Sequence, residues 1–178
     1  METPQYNEMQ TIKRRLFAMR NGIIADTLRH AGSPFRIIFG LNLPQIVEIA
    51  TETGKNRELA DKLWANTTTR ESLLIAPMLV EPSEFTLEDA RRWASEVPAA
   101  EVADILCHRL LRHTTYAWDL ADELIDKQEG QFGLYTGLRL AFNLMYTDPN
   151  RALALAERAG NHPLALALID EAKFLLGE

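Results

Sequence analysis

The chain has 178 residues, of which 47% are apolar and 25% charged, with a formal net charge of −6 and one cysteine. That length buries roughly 70% of the unfolded surface in a single domain or short repeat array, and the composition excludes disordered or collagen-like polymers. The longest apolar stretch, Leu73 to Val80, is far short of the ~20 residues of a membrane span. No charged-then-apolar leader opens the chain, and Cys107 alone cannot build a disulfide framework, so a reducing cytoplasm is the expected setting.

Apolar spacing is helical almost throughout. A first helix is expected over roughly Asn7 to Ala31, where Met9, Ile12, Leu16, Met19, Ile23 and Leu28 form a stripe that Gly32-Ser33-Pro34 stops. Phe35 to Leu41 reads as a buried connector, and a second helix follows over Pro44 to Thr53, ended by Gly54. Asn56 caps a helix through Ala65. Thr68 and Glu71 have capping-box spacing and open a helix toward Val80, with Pro77 kinking or ending it. Thr86 caps a helix through Ser95, and Pro98 stands in the first turn of a helix that reaches Arg112. Further helices are expected from Thr115 to before Gly130, over Gln131 to Tyr146, from the cap Asp148-Pro149 to Gly160, and from Asn161 to Leu176.

The fold class is therefore all-α, with about ten helices. Taken in pairs, they start near 56, 86, 115 and 148, a repeat that predicts a stacked α-solenoid rather than a compact bundle. The expected organisation is one domain over 1–178: N-terminal basic capping helices to residue 54, then four helix pairs over 55–178. Gly133 and Gly137 share one helix face, which predicts close packing on a neighbouring backbone, because an interior helix glycine costs ~1 kcal/mol.

Charge is unevenly spread. Within residues 1–40, Lys13, Arg14, Arg15, Arg20, Arg29 and Arg36 outnumber Glu2, Glu8 and Asp26, while the remainder is acidic. The overall balance argues against indiscriminate nucleic-acid coating, yet a basic N-terminal arm can contact an anion locally. No phosphate-cradling glycine loop, zincin motif or Cys-x-x-Cys is present. His108 and His113 are five apart, poor spacing for a shared metal, and Cys107 reads as a small buried side chain, so no metal and no cofactor are expected. Glu101, Asp104, His108 and Arg112 make one polar stripe opposite Val102, Ile105, Leu106 and Leu110. That stripe is either a solvated face or part of a binding surface.

The run Glu58-Leu59-Ala60-Asp61-Lys62-Leu63-Trp64 is followed by Arg70-Glu71, Trp93, the helix carrying Asp104, Trp118-Asp119-Leu120-Ala121-Asp122 and an aromatic-led helix at Phe132. This order resembles the HEAT-like-repeat DNA alkylation-repair glycosylases (AlkD-like proteins) over about residues 44 to 176. The resemblance implies HEAT-like antiparallel helix pairs that cradle duplex DNA in a concave groove. It also implies excision of cationic alkylated purines, without flipping, at two indole rings beside one aspartate. A carboxylate stabilises the positive charge that develops on the sugar as the glycosidic bond breaks, and aromatic faces stabilise a cationic lesion.

By that resemblance Asp104 takes the place of the catalytic aspartate and Phe132 that of one tryptophan. Ala100 stands where the other tryptophan is expected, and Tyr135 replaces a basic residue. His108, Arg109, Arg112 and Arg139 are expected to face DNA with Phe132 and Tyr135. The missing indole at Ala100 sets base excision against the DNA-binding expectation. The alternative is a non-enzymatic helical-repeat scaffold that binds a protein or peptide.

Overall fold

The computed structural model describes residues 7–178, so the first six residues of the expected N-terminal cap lie outside it. The chain folds into two compact units, Met1–Glu81 and Pro82–Glu178. Among the described residues there are eleven α-helices and no strand, apart from one isolated parallel bridge between Ile37 and Thr69. No described helix is long and apolar enough to cross a membrane. The helices run 6 to 14 residues, lengths that are marginal alone in water, so packing of their apolar faces holds them.

The first unit contains α1 (Glu8–Ala18), α2 (Gly22–His30), α3 (Leu43–Thr53), α4 (Arg57–Ala65) and α5 (Arg70–Ile75). The expected single helix over 7–31 is two helices. Asn21 accepts from the amides of Ile23 and Ile24, capping α2, while its own N–H donates to Phe39 O at 2.8 Å. This side chain ends one helix by starting another. Gly40, at φ +81°, lies so close to the Asn21 carbonyl that any Cβ would collide with it.

The capping box at Thr68 and Glu71 is not formed. Thr69 is the N-cap but its side chain makes no capping bond, and Thr68 donates to Asn66 Oδ1 instead. Glu71 is fully buried and accepts from the amides of Phe39, Gly40 and Leu41 and from Arg70 Nη1 at 2.9 Å. The expected buried connector is present: Phe35, Ile38 and Leu41 are buried. Its amides gain a distant carboxylate as partner, which outcompetes the local cap because buried donors must be satisfied. Pro77 acts as expected, since α5 stops at Ile75 and a 3-10 turn covers Ala76–Leu79.

The second unit contains α6 (Leu87–Glu96), α7 (Ala100–Arg109), α8 (Ala117–Lys127), α9 (Gly133–Leu144), α10 (Pro149–Arg158) and α11 (Pro163–Leu176). Pro98 precedes its helix rather than entering it, and α7 gives way at Leu110 to a 3-10 turn over Leu111–His113. The last helix is capped by His162, whose ring accepts from Leu164 N–H, one residue later than the expected start at Asn161. The caps Asn56, Thr86 and Asp148 form as expected.

Within this unit the first helix of each pair packs on the next, α6 on α8 and α8 on α10, and the second helices do the same, α7 on α9 and α9 on α11. Ion pairs clip the first row together. Arg91 bridges to Glu123, Arg151 to Asp119 and Arg158 to Asp122. The core between the rows includes Trp93, Leu106, Leu120, Leu138, Leu140 and Leu168, all fully buried. Gly137 packs as expected, for an added Cβ would lie 2.9 Å from Ile125 Cγ1 and 3.0 Å from Leu124 Cβ of α8.

Candidate nucleic-acid interface

The second-helix row positions the predicted site. On α7, Val102, Ala103, Leu106 and Cys107 are buried, which turns Asp104 and His108 outward. On α9, Thr136, Gly137, Leu140, Ala141 and Leu144 are buried, which turns Tyr135, Arg139 and Asn143 the same way. Each outward set follows i,i+4 spacing, so residues on the two helices meet in register.

The Tyr135 hydroxyl donates to Asp104 Oδ1 at 2.8 Å, and Arg139 Nη2 donates to the same hydroxyl oxygen at 3.0 Å. Arg139 Nε lies 2.7 Å from Asp104 Oδ1, an approach held by charge rather than by an aligned hydrogen bond. Asn143 ties the next layer, its Oδ1 accepting from the His108 Nδ1–H at 3.1 Å and its Nδ2 donating to Arg139 O at 2.8 Å. The Arg139 guanidinium also stands 5.5 Å from the Tyr135 ring centre and 5.9 Å from that of Phe142.

Partial burial pushes the Tyr135 phenol up, and the neighbouring Asp104 charge adds to it against the opposing Arg139 bond. The hydroxyl therefore stays protonated at neutral pH and keeps donating to Asp104. Burial disfavours the Arg139 charge, but its bond to Tyr135 and the Asp104 carboxylate outweigh that, so the guanidinium sits above its ordinary range. Cys107 is fully buried and burial pushes its thiol far up, leaving an inert side chain.

The expected site residues divide. Asp104, Tyr135 and Arg139 are in direct contact, with Phe132 edge-on to Tyr135 at 6.3 Å between ring centres. His108 reaches the group through Asn143. Arg109 and Arg112 lie outside this contact network among the described residues. Arg109 is half-buried near the end of α7, and Arg112 sits in the following 3-10 turn, donating to His113 Nε2 at 3.2 Å.

Ala100, half-buried in the first turn of α7, offers no ring. Neither remaining candidate replaces it. Trp93 is fully buried against the edge of Phe85 at 5.0 Å, and Trp118 is half-buried on α8 under the Arg151 guanidinium. Sequence reasoning missed Asn143 and His162, whose ring lies 6.5 Å from that of Tyr135. The missing signal is the repeat offset itself: Asp104 to Tyr135 and His108 to Asn143 span 31 and 35 residues.

This arrangement presents an ion-paired carboxylate, a cationic guanidinium with further donors, and two aromatic rings. Arg139 suits bidentate contact to phosphate, whereas Asp104 is already committed to two partners.

No curated protein matches the sequence. A solved structure described as belonging to "a new family of proteins related to the HEAT-like repeat DNA glycosylases with affinity for branched DNA structures" matches with a TM-score of 0.63. It is 15% identical, over 96% of this chain and 95% of that one. That likeness establishes the fold as HEAT-like helical repeats. A family model described as DNA alkylation repair enzyme matches residues 12–132, about two thirds of the chain and every helix from α2 to α8. The chain belongs to the DNA alkylation repair enzyme family.

Proposed function

We propose that this protein binds DNA, favouring branched forms, and that base excision through Asp104 is suppressed. The observation that carries the reading is the closed contact among Asp104, Tyr135 and Arg139. A carboxylate lowers the barrier to glycosidic cleavage by facing the developing oxocarbenium as an unpaired negative charge. Here a guanidinium 2.7 Å away cancels most of that field. Reaching an active state requires breaking an ion pair and a hydrogen bond together, and Ala100 removes one ring that would stabilise a cationic base. What the contact leaves available is the outer edge of Arg139, with His108 in the next layer through Asn143.

Family membership supports a DNA partner, and the related structure's affinity for branched DNA supports the form. The test pairs binding with chemistry. At ~150 mM salt, a three-way junction is expected to bind at least tenfold tighter than linear duplex of equal length, and Arg139→Glu is expected to weaken junction binding about tenfold. Methylated duplex should release no 7-methylguanine or 3-methyladenine above spontaneous loss. Enzyme-dependent release that Asp104→Asn abolishes would overturn the non-catalytic half of the reading. Absence of DNA binding would favour the scaffold for a protein or peptide.

A further inference from the structure

The first unit holds an open cleft of about 800 Å³ with no assigned role. One wall is the outer face of α1, with Met9, Lys13, Arg14 and Phe17; the opposite wall carries Ile37 and Phe39 from the connector. Phe17 is 58% exposed and Ile37 42%, so two large apolar side chains stand largely open to solvent at its lip. The volume lies within the usual range for small-ligand sites.

Its polar chemistry is selective. Asn66, Thr68, Thr69 and Ser72 form a built polar end, where Asn66 Nδ2 donates to Thr69 Oγ1 and Ser72 Oγ and Thr68 donates to Asn66 Oδ1. The Ile37–Thr69 bridge, with Ile37 N–H donating to Thr68 O at 2.9 Å, fixes the lip to this wall. Lys13 and Arg14 line the cleft, and among the described residues that line it there is no carboxylate, in a chain whose net charge is −6. Beside it, Arg20 lies 3.9 Å from the Phe17 ring centre, anchored by donating to Phe17 O at 2.7 Å. One face of the ring is thus already stacked and its orientation set.

A flat aromatic occupant with an anionic group fits these three features together: an apolar wall with a presented ring, hydrogen-bonding groups at the far end, and cations at the rim. A long acyl chain would leave the polar end unmatched. We propose that this cleft takes one unpaired nucleotide of the DNA partner, with its base against Phe17 and its phosphate toward Lys13 and Arg14. The proposal rests on the DNA-binding reading above and adds a second contact point, on a different unit from Asp104. It gives branch preference a physical basis, because only a branch point or single-stranded end offers a base already free of its stack, and stacking on one protein ring is worth about tenfold in affinity.

The test uses the full chain and two three-way junctions, one with an unpaired 2-aminopurine at the branch and one with an abasic residue there. The wild type is expected to bind the base-bearing junction about tenfold tighter, with a change in 2-aminopurine emission. Phe17→Ala, at an exposed position, should erase that preference while keeping the abasic junction's Kd within twofold, and Lys13→Glu should weaken both junctions. Equal wild-type affinity for the two junctions, or a preference that survives Phe17→Ala, overturns the cleft proposal and leaves DNA binding standing. Failure to bind either junction overturns the DNA reading itself and removes the occupant proposed for the cleft.

Discussion

Glu71 shows how much one side chain can organise. Its two oxygens collect three amides of the 35–41 connector and the Arg70 guanidinium, and Arg70 donates onward to Leu41 O at 3.1 Å. No regular ladder could satisfy those amides, because the connector is neither helix nor strand. Removing the carboxylate takes the ion-pair partner from a buried cation and the acceptor from the buried Gly40 and Leu41 amides and the half-buried Phe39 amide. Glu71→Ala is therefore expected to cost about 3–5 kcal/mol, a large share of a domain's stability. Urea unfolding measures it, and a midpoint unchanged from wild type would refute the role. The same residue explains a failed expectation: the Thr-x-x-Glu spacing is that of a capping box, but nothing in the spacing reveals a stronger set of donors thirty residues upstream.

Helices of the second unit are matched by interlock and by charge. Gly137 lets α9 lie directly on Leu124 and Ile125 of α8. An alanine there would gain ~1 kcal/mol of helix propensity but lose about 1–3 kcal/mol to overpacking. Gly137→Ala is expected to lower the melting temperature, and Gly137→Val to lower it further. Gly22, at the start of α2 with nothing within 4 Å of a built Cβ, supplies the control: Gly22→Ala should be neutral or mildly stabilising. Equal effects at the two glycines would mean that close helix approach is not what holds this pair. The row of Arg–carboxylate clips between first helices repeats at 32, 32 and 36 residues. It has the spacing of the repeat and aligns neighbours more than it stabilises them, since exposed pairs contribute little each.

Across the whole chain, charge decides what kind of binding is available. With a net charge of −6, the body repels a phosphate backbone, so association with DNA must come from local groups of cations. Lys13, Arg14 and Arg20 in the first unit and Arg109, Arg112 and Arg139 in the second are the candidates. Engaging about three phosphates gives a slope of about −3 in log K against log salt, shallow beside a basic protein that coats DNA. A slope near zero would count against phosphate contact, and one steeper than about −6 would require cations beyond these groups.

Periodicity and caps are short-range properties, so they were readable from the order of residues: Asn56, Thr86 and Asp148 each bond an amide three residues on, and the pair repeat follows from helix-length punctuation. Gly137 was readable for the same reason, since a costly residue inside a helix needs a neighbour to justify it. Asn21 was not, because its cap competes evenly with helix continuation until Phe39 O accepts its N–H. Nor was the Asp104–Tyr135–Arg139 contact, which forms only when α7 and α9 stand side by side and bring residues 31 and 35 apart within bonding distance. Local chemistry chose the helices; packing, through contacts no local pattern encodes, chose which of their polar groups satisfy one another and which stay free for a partner.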